Sequence, residues 1–333
     1  MRQSQALINR LTTARIVPGC AYAYIGPATV SSQINGYSAL WPIPVPLAPT
    51  AQFDLASLTK VVGTLTVFLQ AVDQGLLTPD SALADFLPTM TDHRVTFRHL
   101  LTHTSGIAGY IPHRNELPAP ALKEALLRLP VTEAFAGWPI YSDTNLLLTG
   151  FVLEKLYGAA IHDLITDRVL GPLGLAGATF QPDQAVPTLY DASTKTNFAG
   201  VVHDPKSRIL GPHSGSAGLF SNLATLIRFS QWYLGQWAPV AAPVTQTRLQ
   251  TLWHDWAPRH GHRSLGWDLK TTPHGTPVLF HTGFTGTFMA LDRQHQQGLI
   301  VLTNRIYPNG HNDRFLINRE RIVNTWLAEC DRT

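Results

Sequence analysis

Apolar positions change rhythm along the chain, and the changes outline the elements. Residues 1–16 interleave apolar positions with Gln3, Gln5, Asn9 and Arg10, the spacing of an amphipathic helix. CAYAYIG (residues 20–26) reads as a strand, and ATVSSQING as a second one ending in an Asn35-Gly36 turn. The proline-rich stretch 42–49 is expected to be a loop. Over residues 57–74 apolar side chains recur at Val61, Val62, Leu65, Leu69 and Val72, which predicts a buried helix closed by Gly75. From 76 to 199 the pattern is helical, with helices expected near 97–103, 119–129, 145–156 and 161–170, the last halted by Gly171-Pro172. Residues 222–234 and 244–253 read as helices too. Past Ser264 the period shortens: LGWDLK, PVLFH, TFMALD and GLIVLTN are strands, and 313–329 is a closing helix. Strands at both ends with helices between them predict an α+β fold. Residues 1–75 and 200–333 would share one antiparallel sheet flanked by helices, and 76–199 would form an all-helical subdomain beside it.

Composition narrows the picture. At 44% hydrophobic and 14% charged over 333 residues, the chain is an ordinary globular protein with a large core. A net charge of +3, with Lys and Arg scattered, gives no basic stripe for nucleic acid. No run of 18 apolar residues occurs, so no membrane span is expected. Cys20 and Cys330 are the only cysteines, and the N-terminus lacks an apolar leader; both point to a cytoplasmic protein.

Three short motifs carry chemistry. Ser57-Leu58-Thr59-Lys60 puts a hydroxyl and an ammonium on one helix face, and a serine hydroxyl needs such a neighbour to shed its proton. Lys60 is the only lysine with a serine three positions before it. A serine cap with a surface lysine one turn on would give the same four letters. Tyr141-Ser142-Asp143 supplies a phenol that can act as a base beside an ammonium, though Asp143 also suits the N-cap of the helix that follows. Tyr307-Pro308-Asn309 matches Y-x-N as well but lies in a turn after the third motif, so Tyr141 is preferred. His281-Thr282-Gly283 follows a strand, where a backbone N–H can meet an oxyanion and a glycine lets a substrate approach.

The order S-x-x-K, Y-x-N/D, K/H-T-G resembles class C β-lactamases and their D,D-peptidase, D-aminopeptidase and esterase relatives. FDLASLTK, FRHLLTHTSGI, YSDTNLLLTG, VHD, GSAGLFSN, LGW and HTGFTGT extend the likeness over nearly the whole chain. The resemblance implies the β-lactamase/transpeptidase fold, Ser57 as nucleophile, Lys60 as its activating partner and Tyr141 as base and later acid. It implies an oxyanion hole from the N–H groups of Ser57 and Phe284, with Asp143, His281, Thr282 and Gly283 around the substrate. Two departures bear on specificity. Asp143 replaces the family's usual Asn, an acceptor-only group for one that donates, and is expected to pair with Lys60 and disfavour a substrate carbonyl there. His281 replaces Lys, a mostly neutral ring for an ammonium, which argues against efficient β-lactam hydrolysis.

His99, His103, His203 and His213 do not stand in zinc-ligand spacing, and the mechanism needs no cofactor. The G-x-S-x-G elbow of other hydrolases is absent. The expected activity is therefore an esterase-like serine acyl hydrolase acting on a small ester, amide or short peptide. A D,D-carboxypeptidase or D-aminopeptidase is the alternative within the enzymes, and a non-catalytic acyl-enzyme sensor or binding module the alternative outside them.

Overall fold

The computed structural model describes residues 2–330. Helix Gln3–Thr13 leads into β1 (Gly19–Ile25), which is buried along its whole length. β2 (Val30–Ala39) returns antiparallel to it, and the short β3 (Val45–Pro46) lies on the edge of β2 within the proline-rich stretch. The expected turn at Asn35-Gly36 is not a turn: Asn35 pairs with Cys20 and Gly36 with Gly19 inside the ladder, and the chain reverses instead between Gly26 and Thr29. Gly36 is needed for a different reason. It sits at φ +82, and a Cβ there would lie 2.2 Å from the Pro18 carbonyl oxygen.

β4 (Phe53–Asp54) leads to one π-helical turn over Lys60–Thr64 and then helix Leu65–Asp73. Helices Phe97–Leu101, Ala119–Leu127, Asp143–Tyr157 and Ile161–Ile165 follow. The stretch expected to be purely helical also holds β5 (Ala178–Thr179) and a small hairpin of β6 (Leu189–Asp191) and β7 (Thr196–Phe198). β8 (Phe220–Ser221) pairs with both β4 and β5, so it ties the serine segment to the end of the helical region. After helix Leu223–Leu234, β9 (Asp268–Thr271), β10 (Pro277–Thr282), β11 (Phe288–Asp292) and β12 (Gln297–Thr303) complete the sheet, and helix Asp313–Cys330 closes the described chain.

The main sheet is antiparallel in the order β3-β2-β1-β12-β11-β10-β9. First and last parts of the sequence thus meet where β1 pairs with β12. Each buried strand sends alternate side chains to opposite faces. Tyr22, Tyr24, Val278, Phe280, Phe288 and Val301 pack under the two terminal helices with Ile8, Leu11, Phe315 and Trp326. Ala21, Ala23, Leu279, Met289, Leu291 and Ile300 face the larger core with Val61, Leu65, Phe229 and Trp267. The three sequence motifs gather at the margin of this second core, where β10 ends beside β4.

Candidate active site

The serine corner is built from buried polar groups. Leu55 donates its N–H to the Leu219 carbonyl at 2.9 Å, which continues the β4–β8 pairing to the residue before the bend. Asp54, fully buried, then accepts the Ala56 N–H at 2.8 Å with Oδ1 and the His203 N–H at 2.8 Å with Oδ2. Ala56 takes φ +45, a left-handed conformation a residue with a Cβ adopts only when its surroundings hold it there. The bend delivers Ser57 to a cleft at the head of its helix. Burial raises the Asp54 pKa to about 6, the two N–H bonds opposing the shift. Asp54 was absent from the sequence reading, although FDLASLTK places it three residues before Ser57.

Lys60 has no exposed surface, so a surface lysine one turn after a serine cap does not describe it. Its Nζ lies 2.8 Å from Ser57 Oγ, 2.9 Å from the Ser216 carbonyl oxygen and 2.8 Å from Asp143 Oδ1. An ammonium has three hydrogens, and these partners use all three. Burial alone would lower its pKa; Tyr141 and Asp143 together more than reverse this and hold Lys60 above the ordinary lysine range. It therefore stays charged and acts on Ser57 through its field.

Asp143 is the first residue of its helix, and the N-cap position falls on Ser142. Its carboxylate is spent on lysines instead: Oδ1 on Lys60 and Oδ2 on Lys206 at 3.0 Å. Burial opposes its charge, but the two ammonium groups win and hold it below the usual carboxylate range. Lys206, from the VHDPKS segment, was another residue the sequence reading passed over.

Tyr141 is 45% exposed and stands over Lys60, whose Nζ lies 5.3 Å from its ring centroid. His103, weighed in the sequence only as a metal ligand, brackets this tyrosine. Its carbonyl accepts the Ile140 N–H at 2.8 Å, and its Nδ1 accepts the Ser142 N–H at 3.2 Å. Its ring lies 4.5 Å from the Tyr141 ring, centroid to centroid. Tyr307, the competing Y-x-N tyrosine, spends its hydroxyl on the backbone of Leu40 and Trp41 and does not line the cleft.

At the third motif, the glycine is also required by the protein's own packing. A Cβ on Gly283 would lie 2.4 Å from the Leu55 carbonyl oxygen and 2.2 Å from Thr287 Oγ1. That closeness lets the turn after β10 clasp the serine corner: Gly283 N–H donates to the Thr287 carbonyl at 2.7 Å, and the Thr285 hydroxyl to the Asp54 carbonyl at 2.6 Å. Phe284 is thereby set across from Ser57, its ring stacked on His203 at 5.2 Å. Among the described residues, the backbone N–H groups of Ser57 and Phe284 donate to no protein acceptor, as two donors meant for an oxyanion would. His281 is buried, its Nδ1–H directed to the Thr282 carbonyl at 3.1 Å, and burial holds its pKa well below the ordinary histidine value. It is a neutral ring at physiological pH.

Ser57, Tyr141, Asp143, Thr282, Gly283 and Phe284 line one cleft of about 500 Å³, with Lys60 and His281 behind its walls. A nucleophile touching a charged ammonium, a phenol above that ammonium and two free N–H donors form a set suited to acyl transfer. The family model described as Beta-lactamase matches residues 6–320. The chain belongs to the beta-lactamase family. At the coarse level this makes it an acyl hydrolase of the serine β-lactamase fold. Among curated relatives, a putative D-alanyl-D-alanine carboxypeptidase of Escherichia coli (strain K12) is 25% identical, with 80% of this chain and 72% of that protein covered. An N-acetylmuramyl-L-alanine amidase of Bacillus subtilis (strain 168) is 26% identical over 90% of this chain and 77% of its own length. A class C beta-lactamase structure superposes with a TM-score of 0.78 at 20% identity, covering 98% of this chain and 94% of that one. The octameric penicillin-binding protein homologue from Pyrococcus abyssi gives 0.73 at 18%, over 96% and 76%. These two structures bear on the fold, which is the β-lactamase/transpeptidase architecture.

Proposed function

We propose that this beta-lactamase family member is a serine esterase that works through an acyl-enzyme on Ser57. The observation that carries the reading is the 2.8 Å contact between Ser57 Oγ and the fully buried Lys60 ammonium. Ser57 Oγ attacks the ester carbonyl carbon while its proton passes to Tyr141, the phenolate form of which Lys60 stabilises. The N–H groups of Ser57 and Phe284 hold the oxyanion. Collapse breaks the bond to the alcohol oxygen, which takes its proton from Tyr141, and water then releases the acid from Ser57 by the same steps.

Preference for esters is supported by His281. A neutral buried ring offers no fixed cation for a substrate carboxylate where the family's Lys would stand. A D-peptide carboxypeptidase is the second reading, favoured by Arg305. Its guanidinium lines the same cleft and donates to the carbonyls of Phe284 at 2.7 Å and Asn312 at 3.4 Å, with no carboxylate in ion-pair contact among the described residues. The relatives named as carboxypeptidases and as an amidase point the same way. Among the described residues no helix is long and apolar enough to cross a membrane. A substrate panel decides between the readings. Short p-nitrophenyl esters should be turned over at least tenfold faster, in kcat/KM, than D-alanine is released from a D-Ala-D-Ala peptide, with nitrocefin near background. The reverse order would hand the function to the carboxypeptidase reading.

A further inference from the structure

Four charges alternate along one wall of the cleft. Lys60 meets Asp143 Oδ1 at 2.8 Å, Asp143 Oδ2 meets Lys206 Nζ at 3.0 Å, and Lys206 Nζ meets Asp204 Oδ2 at 3.0 Å. Lys206 is the member that combines burial with access: its side chain is only 13% exposed, and it lines the cleft beside Ser57. Two of its ammonium hydrogens face carboxylates, and no other protein acceptor among the described residues takes the third. Asp143 is in the opposite condition. It is acceptor-only, and both its oxygens already hold lysines.

We propose that Lys206 determines acyl-group specificity. Its free N–H supplies the donor that Asp143 cannot, so the preferred substrate carries an acceptor oxygen near the scissile carbonyl and no free ammonium. This rests on the Ser57 acyl-enzyme reading and names the substrate class within it. Paired with Lys60 alone, Asp143 would still present an acceptor oxygen and disfavour a substrate carbonyl, as the sequence alone suggests. Paired with Lys206 it is neutralised, and a donor returns one side chain away. A substrate ammonium finds no unspent carboxylate on this wall. It would meet Lys206 here and Arg114, Arg305 and Arg319 elsewhere around the cleft, so a free-amine substrate is disfavoured. The local role open to Lys206 is to hold Asp204, whose carboxylate caps the helix Pro205–Leu210.

The test compares p-nitrophenyl esters of N-acetylglycine, pentanoic acid and glycine. The first two have acyl chains of matched length and differ in the acceptor; the third carries an ammonium. The wild type should prefer acetylglycyl over pentanoyl and reject glycyl. In Lys206→Met the acetylglycyl to pentanoyl ratio of kcat/KM should fall about tenfold or more, and Lys206→Arg should retain it. Asp143→Asn combined with Lys206→Met should restore the ratio, because the amide donates without needing the lysine. A purely structural lysine would lower both esters together and leave the ratio fixed. That result, or failure of the double variant to restore it, overturns the proposal. Pentanoyl turnover that survives in Ser57→Ala would instead overturn the acyl-enzyme reading, whatever Lys206 does.

Discussion

The two walls of the cleft are made by opposite means. On the serine wall the two buried charges behind the nucleophile are matched: Lys60 to three acceptors and Asp54 to two N–H donors. On the facing wall, Tyr141 and Phe284 are aromatic rings about half exposed, at 45% and 53%, each backed by a histidine, His103 and His203. The contrast has a physical source. A buried ammonium is tolerable only with its hydrogens satisfied, so the wall that holds it has little freedom. Aromatic rims need no such matching and can accept varied apolar groups. The first wall holds the nucleophile and its ammonium; the second receives the substrate and presents the Tyr141 phenol.

Ser57→Ala attacks the serine wall at its centre and should give the largest effect, a fall in kcat on the order of 10³-fold or more with folding intact. Steady-state ester hydrolysis and circular dichroism check both parts. Lys60→Met and Tyr141→Phe take one partner from each wall, and each should lower kcat by roughly 10²–10⁴-fold. If Tyr141→Phe changed only KM, the tyrosine would belong to substrate reception alone, and its role as base would fall. Asp143→Ala leaves Lys60 buried with one partner fewer; loss of about 3–5 kcal/mol is expected, read by denaturant unfolding.

The smallest effect concerns pH, where the walls should respond in opposite senses. Asp54 is raised in the folded state to about 6 from 3.8. Its contribution to stability is therefore complete below about pH 4 and lost as the pH rises through 6, on the order of 2–3 kcal/mol. His103 and His281 are lowered well below 6.5, so the unfolded chain takes their protons first and stability falls as the pH drops below about 6.5. Thermal unfolding across pH 4–8 should show Asp54→Asn removing the first trend and His281→Asn weakening the second.

How much of this was legible in the sequence follows the same division. Ser57, Lys60, Tyr141 and the H-T-G turn could be read because their chemistry depends on short spacing within a strand or helix. Helices and strands of the main sheet were legible from periodicity, apart from boundaries. Asp54 and His103 escaped because their work is done on backbone N–H groups brought near by folding, 149 positions away for the His203 contact of Asp54 and 39 for the Ser142 contact of His103. Lys206 escaped because nothing local marks a lysine whose partner is Asp143. The Asn35-Gly36 turn expectation failed for the same reason: an Asn-Gly pair that looks like a turn locally carries the glycine that lets two backbones touch.

The most direct test of the account is the identity of the residue that becomes acylated. Treatment with a fluorophosphonate probe, followed by digestion and mass mapping, should place a single adduct on Ser57. The adduct should be absent from Ser57→Ala and form more slowly in Lys60→Met. An adduct on another serine, or ester turnover that survives in Ser57→Ala, would contradict it.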